Sequence, residues 1–134
     1  GVSYYNDSIG TSPTRTANGT LQLYDRKIIL IAGGYDKQIP YDTLGPIIMD
    51  KVKTLILMGA TADKIEAAVK AAPNYCEQEI VILHANSMEK AVALAKEQAQ
   101  KGDIVSLSPA SASFDLYPNF EARGNHFKNI VNAL

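Results

Sequence analysis

Four short apolar runs divide the chain, and each has a β-branched centre and a boundary of Gly, Asn or Ser. They are KIILIAG, KTLILMGA, EIVILHA and DIVSLS, at 27–33, 53–60, 79–85 and 103–108. Runs that are apolar on both faces are typical of strands in a parallel sheet that is covered by helices. A further short strand is predicted in VSYYN, at residues 2–6.

Two of the segments between these runs have the apolar period of an amphipathic helix. In TADKIEAAVKAA and SMEKAVALAKEQA, apolar residues recur at i, i+3, i+4 and i+7. They are Ile65, Ala68, Val69 and Ala72 in the first, and Met88, Ala91, Val92 and Ala95 in the second. Ser87 is the predicted N-cap of the second helix, with Glu89 favourable in its first turn.

Three further helices are predicted with weaker signals. PYDTLGPIIMDKV favours a shorter and less regular helix, because Gly45 and Pro46 interrupt it. Another helix is expected to begin near Pro13. The last segment, 118–134, forms a helix with one apolar side, made of Phe120, Phe127, Ile130, Val131 and Leu134.

The alternation of strands and helices predicts an α/β fold. We expect a Rossmann-like, three-layer domain with a mainly parallel sheet of about five to six strands flanked by helices. At 134 residues and 46% hydrophobic, residues 1–134 are sized for a single domain with one core.

Charge and cysteine content limit the classes of partner. Thirteen basic and fourteen acidic residues leave a net charge of −1, so nucleic acid and membranes are not expected partners, and any bound anion must be held locally. The single cysteine, Cys76, cannot form an internal disulfide, which favours a reducing, cytoplasmic setting. We see neither a secretory leader nor an apolar run long enough to span a membrane.

Ligands of open parallel sheets bind at the carboxyl ends of the strands, and three of the segments that follow strands are unusual. NDSIGTSPT, at 6–14, offers Asp7 and Thr11, although hydroxyls before a helix are equally explained by capping. AGGYDKQ, at 32–38, follows two glycines with Lys37, which is either a ligand for a carboxylate or phosphate or a solvated surface lysine.

The third segment is SPASASFDLYPNF, at 108–120. If Pro118 occupies the first helical position, the backbone N–H of Phe120 lacks an intrahelical acceptor and is free to hold an anion. The hydroxyls of Ser111 or Ser113 could converge on the same point. A serine-rich turn that only caps the helix is the alternative.

Other motifs carry less chemistry. The chain has neither GxxxxGK[ST] nor GxGxxG, and GATADK, at 59–64, is interpreted as a strand end and helix cap. His84 and His126 stand without a paired nucleophile and are expected to be structural or surface residues.

Together the three segments resemble the Mur ligase family of peptidoglycan synthesis, and within it the members that add D-glutamate. The matching stretches are YYNDSIGTSPTRT, ILIAGGYDK and GDIVSLSPASASFDLYPNFEARGNHF, at 4–16, 29–37 and 102–127. They occupy a little over a third of the chain, in the order and spacing of the family's C-terminal domain.

The resemblance implies that the chain is the last domain of a three-domain, ATP-dependent amide ligase. The first domain would bind the UDP-sugar substrate, UDP-N-acetylmuramoyl-L-alanine, and the central domain would bind ATP and Mg²⁺ through a P-loop. The substrate carboxyl would become an acyl phosphate, which the amine of D-glutamate attacks. The isolated domain would be inactive, with no catalytic residue or metal ligand of its own.

The resemblance also assigns roles to individual residues. Thr11, Lys37, Ser113 and the backbone of Phe120 match positions that hold the carboxylates of D-glutamate, and Asp7 matches a contact with the ribose of the nucleotide. Arg123 and Gly124 match the family pattern too, and we expect them to serve helix packing or domain closure.

Two departures and two alternatives remain. Ile9 stands where some members carry a lysine, which puts a basic contact near the phosphates in doubt, and Ser111 stands where others have cysteine. The alternative functions are a free-standing module that binds a small dicarboxylate, and the corresponding domain of a sister ligase that adds another amino acid.

Overall fold

A computed structural model describes residues 2–6, 27–34, 41–107 and 120–133. The strands among them are β1 (Ser3–Asn6), β2 (Ile28–Ala32), β3 (Val52–Leu57), β4 (Val81–His84) and β5 (Ile104–Leu107). The helices are α1 (Leu44–Lys51), α2 (Ala62–Lys70), α3 (Met88–Gln98) and α4 (Phe120–Asn132). None of these helices combines the length and the apolar character that crossing a membrane requires.

The five strands form one sheet in the order β1-β5-β2-β3-β4, and every neighbouring pair is parallel. This arrangement confirms the predicted parallel sheet. β2 lies at its centre, and all five of its residues are completely buried. A strand in this position needs apolar side chains on both faces, which is why KIILIAG shows no alternation with polar residues.

Helices cover both faces of the sheet, which confirms the three-layer fold. Ile28, Leu30 and Ala32 of β2 pack in a cluster with residues of α1 and α2. Ile29 and Ile31 point to the opposite face and pack with residues of α3 and, through Phe127, of α4. The period-2 alternation of side chains along β2 therefore serves two cores at once.

The helices follow the apolar patterns of the sequence. α2 and α3 coincide with the two amphipathic segments, and Ser87 is confirmed as an N-cap, since its Oγ accepts a hydrogen bond from the N–H of Lys90 at 3.1 Å. α4 buries Phe127, which is 2% exposed. The helix predicted near Pro13, the side chain of Phe120 and Leu134 lie outside the described part of the chain.

α1 is shorter than the other described helices, as predicted, but Gly45 and Pro46 do not interrupt it. Pro46 is its third residue, where a backbone N–H has no intrahelical acceptor, so the missing donor costs the helix nothing. Gly45 is buried against α2, and a Cβ at this position would overlap the carbonyl oxygen of Ala68. The glycine therefore serves the close approach of the two helices.

An ion pair stabilises the amino edge of the sheet, where the strands begin. The register between β2 and β3 shifts so that Ile28 faces Val52 and Ile29 faces Thr54, which leaves Lys53 as an extra residue in β3. Lys53 Nζ donates to Asp103 Oδ1, just before β5, at 2.6 Å. The carbonyl oxygen of Asp103 also accepts from the N–H of Ser3 at 3.0 Å, so three strands that are not all neighbours are tied together.

The close packing of α1 on α2 predicts the sign of one substitution. Gly45→Ala gains about 1 kcal/mol of helix propensity. Overpacking against a backbone oxygen costs about 1–3 kcal/mol, and backbone cannot rotate away. We expect a net loss of stability in urea unfolding; a variant more stable than the natural protein would show that the two helices can separate freely.

Candidate functional site at the carboxyl edge of the sheet

Three neighbouring strands end at the same level on the carboxyl edge of the sheet. Leu107, the last residue of β5, is level with Asn6, the last residue of β1, and with Ile31 of β2. Because the strands are parallel, the chain leaves all three in the same direction and side by side. The three segments singled out in the sequence therefore start next to each other.

The chain reverses its direction across the sheet at this point. β2, β3 and β4 lie side by side in chain order, and β4 is the outermost strand. The chain then returns to place β5 on the other side of β2. The connections through α1 and α2 lie on one face, and α3 and α4 lie on the other. Crevices outside the carboxyl ends of strands at such a reversal are where open α/β sheets bind their ligands.

Four of the predicted site residues, Asp7, Thr11, Lys37 and Ser113, lie outside the residues that the structure describes. Their places in the sequence are nevertheless tied to described strand ends. Asp7 directly follows β1, Lys37 follows Gly34 by three residues, and Ser113 follows the end of β5 by six. Their roles stay predictions.

Phe120 is the first described residue of α4. The backbone N–H groups of a first helical turn have no intrahelical acceptor and point away from the helix, with the positive end of the helix dipole behind them. α4 packs on α3 and β1. Anion binding by the Phe120 N–H is compatible with this placement and stays a prediction.

The start of the segment after β2 is held by contacts that the sequence did not reveal. The N–H of Gly34 donates to Thr61 Oγ1 at 2.9 Å, and the N–H of Thr61 donates to the carbonyl oxygen of Gly34 at 3.0 Å. Thr61 is completely buried. Gly33 has a φ of +111°, and a Cβ there would overlap the carbonyl oxygen of Met58, so a glycine is required on both grounds.

Thr61 was interpreted as part of a helix cap, and the structure changes this interpretation. Thr61 does occupy the N-cap position of α2, but its side chain makes no capping hydrogen bond. Its hydroxyl instead accepts from Gly34, which is 27 positions away in the sequence. Only the adjacency of β2 and β3 brings the two residues together, and no local signal marks it.

Arg123 is 2% exposed in α4. Charged side chains are almost never buried to this extent unless they have a partner, and Arg123 does have an interaction partner. A guanidinium with so little exposed surface is not available to another domain. Of the two roles expected for it, packing of α4 fits its position and direct contact on domain closure does not.

Both histidines pair with carboxylates on neighbouring helices. His84 Nε2, at the end of β4, lies 2.5 Å from Glu66 Oε1, and Lys70 Nζ lies 2.7 Å from Glu66 Oε2. Lys70 first, and His84 second, hold the pKa of Glu66 below its ordinary value. His126 Nε2 similarly lies 2.7 Å from Glu89 Oε1, across α3 and α4. These contacts match the structural or surface role expected of the two histidines.

Asp63 lies beside the first of these groups, and its carboxylate, Glu66 and His84 have ligand atoms within 4.8 Å of one another. Such a set could hold a metal ion in principle. However, the Glu66 oxygens already bond to His84 and Lys70, and β3 separates β4 from β2, where the reversal lies. The group is therefore an ion-pair network apart from the candidate site.

The fold and the gathered strand ends define an α/β domain of the doubly wound type. Comparison with known families makes this specific, since the family model described as "Mur ligase, glutamate ligase domain" matches residues 1–111. The chain belongs to this family. The resemblance found in the three segments is thereby confirmed.

Individual relatives match along the full chain. The chain is 59% identical over 136 aligned positions to the "UDP-N-acetylmuramoylalanine--D-glutamate ligase" of Clostridium botulinum strain Okra, with 100% of this chain covered. It is 54% identical, again over its full length, to the protein of the same name from Acetivibrio thermocellus. The chain spans 29% of the length of each of these relatives.

The lowered pKa of Glu66 predicts a pH dependence of stability. A carboxylate whose folded-state pKa lies below its ordinary value of 4.5 contributes stability above that pH and loses it as the pH falls through the folded-state pKa. At pH 7, Glu66→Gln should lower the unfolding temperature by about 1–4 °C, the range of a partly exposed ion pair. The difference should vanish in acid.

Thermal unfolding between neutral pH and pH 3 checks this expectation. Glu97→Gln, at an exposed position of α3, is the matched control and should change the unfolding temperature little at any pH. A Glu66→Gln difference of constant size down to pH 3 would exclude the ion pair as its cause.

Proposed function

We propose that this chain is the D-glutamate-binding C-terminal domain of a three-domain, ATP-dependent ligase. The enzyme would join D-glutamate to UDP-N-acetylmuramoyl-L-alanine in the cytoplasmic synthesis of peptidoglycan. The observation that carries the proposal is the strand order β1-β5-β2, because it starts the three motif-bearing segments side by side at a reversal of the sheet. The identity of 54% and 59% along this chain with ligases of that name supports the choice of substrate.

Two carboxylates require donors and positive charge in one place. In a chain with a net charge of −1, that charge has to be local, and Lys37 supplies it three residues beyond Gly34. The hydroxyls of Thr11 and Ser113 and the backbone N–H of Phe120 would complete the set of donors. In the sequence, the three side chains follow the three neighbouring strand ends, and Phe120 is the first described residue of α4.

The contribution of this domain to the reaction is positional. Held by its carboxylates, D-glutamate would present its amine to the activated carboxyl of the UDP-sugar substrate, so that a bimolecular encounter becomes a reaction within one complex. The amine nitrogen forms the new amide bond and loses a proton, and phosphate departs with the electrons of the broken C–O bond.

ATP would supply the phosphoryl group that activates the carboxyl, with Mg²⁺ to neutralise its charge. The sequence contains no GxxxxGK[ST] motif that could cradle phosphates. The residues present here therefore do not fit the phosphate and metal sites, which belong to the remainder of the protein. We propose one contact from this chain to the nucleotide: Asp7 would contact the ribose when the domains close.

The two alternatives make different predictions about the native protein. A free-standing dicarboxylate-binding module would lack an upstream GxxxxGK[ST] motif, whereas a ligase requires one. A sister ligase would prefer another amino acid in a competition assay with the full-length enzyme. Preference for any amino acid over D-glutamate would refute the assignment.

Lys37 is the residue on which the proposed carboxylate site depends most. In the full-length enzyme, Lys37→Ala should raise the KM for D-glutamate roughly 10- to 100-fold, the range for loss of a charged hydrogen bond. The KM for the UDP-sugar substrate should not change. Initial rates of phosphate release at varied D-glutamate measure the first constant, and rates at varied UDP-sugar measure the second.

Lys96→Ala is the matched control, because Lys96 is exposed in the last turn of α3, away from the strand ends. It should leave both constants unchanged. An unaltered KM for D-glutamate in Lys37→Ala would mean that Lys37 does not bind the substrate.

Residues 1–134 on their own should release no phosphate from ATP in the presence of both other substrates, because the phosphate site is missing. The full-length enzyme is the positive control in the same assay. Turnover by the isolated chain would contradict the proposed division of work between domains.

A further inference from the structure

We propose that Thr61 is a positioning residue for D-glutamate binding, acting through the backbone of Gly34 on the segment that carries Lys37. This inference rests on the proposed function, since it assumes that Lys37 binds the substrate. It adds a residue that lies outside the three motif-bearing segments and does not itself touch the ligand.

The first step is the geometry of the contact. Thr61 and Gly34 exchange two hydrogen bonds, from the Gly34 N–H to the Thr61 hydroxyl at 2.9 Å and from the Thr61 N–H to the Gly34 carbonyl at 3.0 Å. The ladder between the two strands ends just before, with the N–H of Met58 donating to the carbonyl of Ala32 at 3.0 Å. The Thr61 pair thus continues the connection two residues beyond β2.

The second step is the close packing around this contact. Thr61 is completely buried, and Gly34 is buried as well. Gly33 sits so close to Met58 that a side chain would overlap its carbonyl oxygen. The backbone at 33–34 is therefore held against the β3–α2 connection by two contacts, one at Met58 and one at Thr61. The hydroxyl of Thr61 accepts one of the hydrogen bonds that hold it.

The third step is the short distance along the chain to the substrate-binding lysine. Lys37 follows Gly34 by three residues, and a stretch of that length spans at most about 10 Å. The position of Gly34 therefore limits where Lys37 can lie. Loss of the hydrogen bond at Gly34 should therefore weaken the contact that Lys37 is proposed to make with D-glutamate.

The hydroxyl of Thr61 does not cap α2. Thr61 stands at the N-cap, where a hydroxyl usually bonds to a free N–H of the helix, yet its side chain makes no such bond. The hydroxyl instead accepts a hydrogen bond from Gly34, which lies just beyond the end of the neighbouring strand β2. This use of the hydroxyl is what distinguishes a positioning role from a capping role.

The test compares Thr61→Val, Thr61→Ser and Thr54→Val in the full-length enzyme. Valine keeps the shape of threonine but removes the hydroxyl, and serine keeps the hydroxyl. Thr54 is a buried threonine near the opposite end of β3 and serves as the matched control. The readouts are the KM for each substrate, kcat, and hydrogen exchange of the peptide that covers 27–34.

Thr61→Val should raise the KM for D-glutamate about three- to tenfold, as expected for a buried N–H left without its acceptor. The kcat and the KM values for ATP and the UDP-sugar should stay unchanged, and exchange at 27–34 should accelerate. Thr61→Ser and Thr54→Val should leave the KM for D-glutamate and the exchange unaltered.

Two results would overturn the inference. One is a raised KM for D-glutamate in Thr61→Ser. This variant also tests the inference if Thr61→Val does not fold. The other is a normal KM in Thr61→Val. If Lys37→Ala raises the KM while Thr61→Val does not, only the positioning role fails; if both variants keep a normal KM, the proposed glutamate site itself fails.

Discussion

β2 is buried on both faces, and the rest of the structure depends on this burial. Five consecutive residues, Ile28–Ala32, have no exposed surface. Such a strand is stable only with neighbours on both sides and with helices above and below it. Parallel pairing with β3 and β5 follows from the helical crossovers, and parallel pairing sends the exits of all three strands to one edge.

The two edges of the sheet are stabilised by different interactions. At the amino edge, the ion pair between Lys53 and Asp103 crosses beneath β2 and joins strands that do not pair directly. At the carboxyl edge, backbone groups dominate, with Gly33 and Gly34 pressed against the connection between β3 and α2. Backbone contacts of this kind fix where the segment after β2 starts.

Among the described residues, several charged side chains are paired with a neighbour of opposite charge. Lys53 and Lys70 pair with Asp103 and Glu66, and the two histidines pair with Glu66 and Glu89. Charges neutralised in pairs contribute little to a long-range field, which agrees with the net charge of −1. The anionic substrate proposed for this domain would therefore be held by nearby donors rather than by attraction to the whole domain.

The strand and helix types could be read from the sequence because they depend on periodicity, which is a local property. The runs around β2 to β5, the stripes of α2 and α3 and the cap at Ser87 all follow from residue spacing along a few turns. Gly45 is a counterexample. In the sequence a glycine in a helical segment indicates an interruption, whereas the reason for it lies in Ala68 of another helix.

The composition of the candidate site also came from the sequence, since hydroxyls, a lysine and a helix start after strand-like runs are visible without a structure. What only the tertiary structure decided is adjacency. The return of β5 to the side of β2 brings the exits of β1, β5 and β2 together, and the pairing of β2 with β3 brings Thr61 to Gly34. Strand order and cross-strand contacts depend on how distant parts of the chain share buried surface, and no local pattern of residues encodes that choice.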